Sequence, residues 1–124
     1  AARITAEKAD ESTVRHLREN TELTEFFISK GNVERVKDLD SAFHDIIYRA
    51  CESRMLCKTL SELHRYIASY RKLSLTVEGR IEKSFEEHKQ ICDAIEKKDM
   101  ENADRLMSRH VEHALDNLLS IIQK

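Results

Sequence analysis

The fold class of this chain is set by the stretch 80–95, which reads RIEKSFEEHKQICDAI. One set of its residues recurs at intervals of four, three, four and three, which is the spacing of one face of an α-helix. This stripe consists of Ile81, Phe85, His88, Cys92 and Ile95. The pattern predicts an amphipathic helix with a histidine in the middle of its buried face.

The rest of the chain also has few of the residues, proline and glycine, that end strands and form tight turns. It contains no proline and only two glycines among 124 residues, although strands and tight hairpins generally need them. We therefore predict an all-α fold, in which the end signals define five helices. The first runs from about 6 to 30, with Thr5 as its N-cap and Gly31-Asn32 at its end, and the second runs from 33 to 51. The third begins at the N-cap Ser53 and ends at about Arg71, and a loop follows at 74–79. The fourth runs from 80 to 97, and the fifth begins at the N-cap Asp99 and reaches nearly to the C-terminus. The first helix is expected to bury Val14, Leu17, Leu23, Phe26 and Phe27.

The composition restricts the class of protein. A length of 124 residues suits one domain, and 40% hydrophobic with 35% charged residues is a globular balance. The formal charge of −2 and the absence of a basic stripe argue against a nucleic-acid-binding surface, so any DNA contacts would lie outside this chain. The three cysteines form no CxxC pair and no apolar run spans a membrane. We expect reduced thiols, a cytoplasmic location and no membrane contact.

Two further helices place titratable residues against their apolar faces. In the second helix, Asp40 and His44 lie one turn apart beside Phe43. In the last helix, His110 lies among apolar residues on one face, which is formed by Met100, Ala103, Met107, His110, Ala114 and Ile121. Three helices would therefore each direct a histidine inward.

These histidines permit two interpretations. A single buried histidine is usually a core residue that is hydrogen-bonded to a neighbour. Three of them together, with a carboxylate one turn away, would be costly to bury without a shared partner. A divalent cation is such a partner, and three imidazoles with one carboxylate suit Zn²⁺ first, with Ni²⁺, Co²⁺ or Mn²⁺ as alternatives.

The motifs around these residues resemble those of the FCD domain, the C-terminal sensor domain of the FadR subgroup of GntR-family transcription regulators. The run 40–44 with Ile47 is similar to the family pattern D-x-x-F-H-x-x-I. The run 87–95 is similar to E-H-x-x-I-x-x-A-I. The closing pattern D-x-x-x-A-x-x-x-M-x-x-H is matched by Asp99, Ala103, Met107 and His110. The chain departs from the family at Cys51-Glu52-Ser53, where we expect a changed turn.

The resemblance implies a fold and a function. It implies an antiparallel bundle of about five to six helices around a central cavity. There, Asp40, His44, His88 and His110 would bind the metal and a small organic acid would complete its coordination. Arg80 and Arg71 are candidates to bind the acid through a guanidinium group. The whole chain, 1–124, would be one ligand-sensing domain. The first helix of the family's domain, which comes before the predicted helix 6–30, would be largely missing, and the DNA-binding winged helix would not be in this chain. Such regulators are homodimers.

Two other classes of function stay open at this stage. One is a helical interaction module without metal, in which the histidines only fill the core. The other is a metal-dependent hydrolase, but no HExxH or ExxH motif is present, and we expect no enzyme. The remaining histidines, His16, His64 and His113, are predicted to be surface or flanking residues. His113 could also support or replace a metal ligand.

Overall fold

The computed structural model describes residues 2–50, 59, 62 and 68–122. These residues form helices, without any strand in the described ranges, so the predicted all-α class is confirmed. The helices are α1 (Ala2–Lys8), α2 (Glu11–Ser29), α3 (Val33–Ala50), α4 (68–74), α5 (Arg80–Glu96) and α6 (Met100–Ile122). The predicted cap Ser53 and most of the predicted third helix lie outside the described residues. No described helix is long and apolar enough to cross a bilayer.

The predicted first helix, 6–30, is wrong at its N-terminal end. The chain breaks at Asp10, whose extended backbone and side-chain acceptance of the Thr13 N–H begin α2. Thr5 is not a cap but lies inside α1, fully buried, and its hydroxyl donates to the Ile47 carbonyl at 2.7 Å. The cap at Asp10 prevails because its carboxylate satisfies an otherwise unpaired N–H of the first turn.

Two chain reversals are built by left-handed residues after a helix. Gly31 (φ 67°) follows α2 as predicted, and Lys98 (φ 56°) follows α5. After α5, the N–H of Asp99 donates to the Ala94 carbonyl at 2.9 Å, which closes the helix end. The Asp99 side chain then accepts the N–H of Asn102 at 3.2 Å and caps α6, as predicted. The α5–α6 connection is therefore tight, and the two helices pack side by side.

The buried face of α2 differs from the predicted one. Leu23 and Phe26 are 48% and 50% exposed. The buried residues are Leu17, Asn20, Thr21 and Thr24, a mostly polar stripe that packs on α3. The donor groups of this stripe have partners: the Asn20 amide donates to the Leu39 carbonyl at 2.9 Å, and Thr21 and Thr24 donate within their own helix, while Asn20 Oδ1 is buried without a hydrogen-bond partner.

The buried face of α5 is also rotated relative to the predicted stripe. Phe85 and Ile81 are only partly buried, and Ser84 and Arg80 are buried instead. The C-terminal half of α5 packs into an apolar core with α1 and α3, through Ile91, Cys92, Ala94 and Ile95. The N-terminal half of α5 therefore presents a polar face, Arg80, Ser84 and His88, to the interior.

Candidate metal centre

The turn at Lys98 determines which residues of α5 and α6 meet. His88 lies ten residues before Lys98 and His110 lies twelve residues after it. At about 1.5 Å per residue along each helix, the two histidines return to similar heights on neighbouring helices. α3 adds Asp40 and His44, one turn apart on its buried face. The fold thus brings together residues that are up to 70 positions apart, since 110 − 40 = 70.

The four predicted ligands form one buried cluster. Each of Asp40, His44, His88 and His110 has at most 6% of its surface exposed. One potential ligand atom from each lies within 4.8 Å of all the others. The Nε2 atoms of His88 and His110 are 3.1 Å apart, and those of His110 and His44 are 3.3 Å apart. Asp40 Oδ1 lies 3.4 Å from His88 Nε2.

These distances suit a shared cation. Two nitrogens that are each bound at ~2.1 Å to one ion are separated by about 3.0 to 3.4 Å in octahedral or tetrahedral geometry. Three of the six pairwise separations, at 3.1, 3.3 and 3.4 Å, fall in that range, and all four atoms lie within 4.8 Å of one another. Hydrogen bonds alone explain the cluster less well, because a neutral imidazole has a single N–H to share among converging nitrogens. The donor set therefore fits a divalent metal ion.

Glu87 orients one of the ligands. His110 Nδ1 donates to Glu87 Oε1 at 2.7 Å, and this assigns the ring proton to Nδ1 and leaves the Nε2 lone pair directed at the cluster. His113 Nδ1 contacts the other carboxylate oxygen of Glu87. No role for Glu87 was predicted from the sequence, although Glu87 lies directly beside His88 in the chain. His113 was correctly predicted as a flanking residue, which is half exposed here.

Phe43 orients a second ligand. Its ring stacks on the His88 imidazole with 3.8 Å between centroids and 7° between planes. Ser84, one turn before His88, places its hydroxyl 3.5 Å from Asp40 Oδ1. Both neighbours limit the rotation of the residues they touch, so the cluster is held by packing as well as by polar contacts.

The two candidate arginines differ in their environments. Arg80 is buried, 3% exposed, with Nη1 2.9 Å from Glu87 Oε1 and Nη2 donating to the His110 carbonyl at 3.3 Å. Arg71, on α4, donates through Nη2 to the Tyr48 hydroxyl at 2.9 Å. The positive charges of both arginines act on Asp40 and His88. Both guanidinium groups therefore belong to the surroundings of the cluster.

Burial and neighbouring charges shift the pKa values of three groups in and beside the cluster. Burial raises the pKa of Asp40, although His110, Arg71 and Arg80 oppose that rise. Burial and the neighbouring cationic groups hold the pKa of His88 well below its usual value, so its imidazole is neutral. Burial alone would raise the pKa of Glu87, but hydrogen bonds from His110 and His113 and the charge of Arg80 bring it down to about 2. The neutral imidazole of His88 is the form that binds metals, whereas the raised pKa of Asp40 favours its protonated form.

The fold and the site together define the class of protein. It is an all-helical domain that surrounds a buried cluster of histidines and one aspartate. The family model of the FCD domain matches residues 1–113, and the chain belongs to that family. The chain is also similar to the uncharacterized HTH-type transcriptional regulator YdhC of Bacillus subtilis (strain 168), with 26% identity over 125 residues. That alignment covers 100% of this chain and 56% of the relative, so the chain spans about half of the relative's length.

Proposed function

We propose that this chain is the metal-dependent effector-binding and dimerisation domain of a GntR-type transcription regulator of the FadR subgroup. The observation that carries the proposal is the convergence of the four buried ligand atoms of Asp40, His44, His88 and His110 within 4.8 Å. Membership of the FCD family and the regulator name of the relative support it. A winged-helix domain outside this chain would contact DNA, and the regulator would act as a cytoplasmic homodimer.

The effector in this proposal is a small organic acid. A bound divalent ion, Zn²⁺ as first choice, would supply a positive charge and open coordination positions for a carboxylate oxygen. Arg80 and Arg71 would bind the rest of the carboxylate, since guanidinium groups form paired hydrogen bonds with it. Because Glu87 already holds Arg80 at 2.9 Å, this guanidinium is positioned before the acid arrives.

Effector binding would alter the packing of several helices. The cluster joins α3, α5 and α6, and Arg71 adds α4. A ligand that contacts groups on these helices stabilises one arrangement of them over others. A shift of this kind would change the spacing of two attached DNA-binding domains, which is the expected output of the regulator.

The two other functions lack a specific supporting observation. A helical module without metal would leave three imidazoles and a carboxylate converging without a common partner. A hydrolase would require a general base beside an open metal position, and Glu87, the nearest candidate, is occupied by Arg80, His110 and His113. Family and relative both favour regulation over catalysis.

Calorimetric titration tests the proposal. Acetate, hexanoate, gluconate and citrate would each be titrated into Zn²⁺-loaded protein and into protein stripped with a chelator. We expect at least one acid to bind the loaded form and none to bind the stripped form. Arg71→Lys keeps the charge but loses the paired donors, and should weaken that binding about tenfold. Equal binding to both forms, or no binding of any acid, would contradict a metal-anchored effector site.

A further inference from the structure

A pocket lies directly beside the candidate metal centre, between α4 and α6. Its volume is about 180 Å³, and His110 forms part of its wall. The other described residues that line it are Tyr70, Arg71, Ser74, Val111, Ala114, Leu115 and Leu118. The pocket therefore leads from the surface, where Tyr70 and Leu115 are about half exposed, to a buried ligand of the cluster.

The polar side chains that line the pocket lie on the α4 side and towards the cluster, and they include Tyr70. Arg71 and Ser74 lie on α4, and His110 lies towards the cluster. The Ser74 hydroxyl donates to the Ala114 carbonyl at 3.1 Å, so its proton is already used. The wall contributed by α6 beyond His110 is formed by Val111, Ala114, Leu115 and Leu118 and offers no polar side chain. A ligand in this pocket would thus meet Arg71 and His110 among its polar neighbours and hydrocarbon along the α6 wall.

We infer that the effector is a small monocarboxylic acid, whose carboxylate lies at the metal centre and whose apolar tail lies in this pocket. The inference rests on the proposed function and narrows its ligand class. Hydroxyl or additional carboxylate groups on the tail that face the α6 wall, Val111, Ala114, Leu115 and Leu118, would find no side-chain hydrogen-bond partner there, which is costly. Sugar acids and citrate are therefore poor occupants.

The pocket volume limits the length of the tail. Drug-sized ligands occupy pockets of about 300–1,000 Å³, and this pocket, at about 180 Å³, is smaller. At about 30 Å³ for a group the size of a water molecule, it holds roughly six such groups. The expected acid has a short tail of about four to six carbons, and hexanoate is a suitable probe.

Competitive titration with matched acids tests the inference. Hexanoate and acetate carry the same carboxylate and differ only in the tail, so their ratio of affinities for Zn²⁺-loaded protein isolates the pocket. We expect hexanoate to bind at least about tenfold more tightly than acetate, since two buried methylenes suffice for that factor. Gluconate, which is similar in length but hydroxylated, should bind no better than acetate.

A pair of variants assigns the effect to the pocket. Leu115 is 52% exposed and lines the pocket, whereas Leu119, 42% exposed and one turn further along α6, is not among its lining residues. Leu115→Gln should reduce the hexanoate-to-acetate ratio at least about threefold, and the control Leu119→Gln should leave it unchanged. Circular dichroism and metal content check that both variants stay folded and loaded.

The outcomes distinguish the apolar-tail inference from the proposed function on which it rests. If acetate and gluconate bind the loaded protein as tightly as hexanoate, or if Leu115→Gln leaves the ratio unchanged, the apolar-tail inference is overturned while the metal-anchored effector site stands. If no acid binds the loaded protein, the proposed function fails, and the inference that rests on it fails as well.

Discussion

Glu87 contacts three side chains in and beside the cluster. Its carboxylate accepts from His110 at 2.7 Å, pairs with Arg80 at 2.9 Å and contacts His113. One side chain therefore orients both a proposed metal ligand and a guanidinium that is expected to bind the effector. Carboxylate partners of this kind raise the basicity of a ligating imidazole and fix its ring orientation.

Replacing Glu87 should weaken metal binding more than it weakens the fold. Glu87→Gln keeps an acceptor for His110 Nδ1 but removes the negative charge, and we expect the affinity for Zn²⁺ to fall by about 10- to 100-fold. Competition with a chromophoric chelator measures this, and urea unfolding of the metal-free forms measures any structural loss separately. The matched control is Glu86→Gln, an exposed neighbour paired only loosely with Lys89. Equal Zn²⁺ affinity in the two variants would remove the positioning role of Glu87.

The thiol of Cys92 should be chemically silent in the folded protein. Burial raises its pKa to about 12, so the reactive thiolate is scarce at pH 8. In a Cys51→Ser/Cys57→Ser background, a disulfide reagent should react with Cys92 at least about 100-fold faster in denaturant than in buffer. Similar rates in the two conditions would mean that Cys92 is accessible in the native state.

At the scale of residues, the sequence predicted the cluster but not its support. Asp40, His44, His88 and His110 could be found because each interrupts an apolar helix face with a ligand-type side chain. Glu87 and Ser84 could not be found in this way, because their roles depend on the rotation of α5 against α6 and α3. A contact between helices has no local signature in the sequence of either one.

At the scale of the helices, apolar residues alone do not predict which face of a helix is buried. In α5, the predicted stripe included Phe85, but Ser84 is buried in its place and lies 3.5 Å from Asp40 Oδ1. In α2, Asn20 and Thr24 are buried while Phe26 is half exposed. Hydrophobic periodicity predicts that the most hydrophobic side chains are buried. This prediction fails where short polar side chains find hydrogen-bond partners inside a close contact between helices.

A buried hydroxyl adds a hydrogen bond to the apolar contact between α1 and α3. Thr5 donates to the Ile47 carbonyl at 2.7 Å and has no exposed surface. Thr5→Val keeps the shape of the side chain and removes the donor, and should lower the free energy of unfolding by about 1 kcal/mol. Urea denaturation measures the change, with Thr59→Val, at an exposed helical position, as the control. An unchanged midpoint for Thr5→Val would show that this hydrogen bond contributes nothing to the packing of α1.

At the scale of the whole molecule, a small apolar core and a polar interior lie side by side. Phe43 and Ile47 of α3 and Ile91 and Ile95 of α5 fill the core, while the neighbouring half of the interior contains three imidazoles, two carboxylates and Arg80. The all-α class could be predicted because the chain lacks proline and nearly lacks glycine. The break at Asp10 could not, because an apolar residue pattern continues on both sides of it.

A metal ion bound in the polar part of the interior would stabilise the whole fold. A ligand that binds the folded state alone adds RT ln(1 + [L]/Kd) to its stability. The four ligands come from α3, α5 and α6, so the ion would join helices that are distant in sequence.

The most direct test of this account is the metal content of the purified protein. Untagged protein prepared without chelator would be analysed by elemental mass spectrometry beside His88→Ala/His110→Ala and the control His16→Ala, which changes an exposed histidine of α2. The account predicts about one transition-metal ion per chain in the native protein and in the control, and almost none in the double variant. A native protein that contains no metal and takes up neither Zn²⁺ nor Ni²⁺ on titration would contradict it.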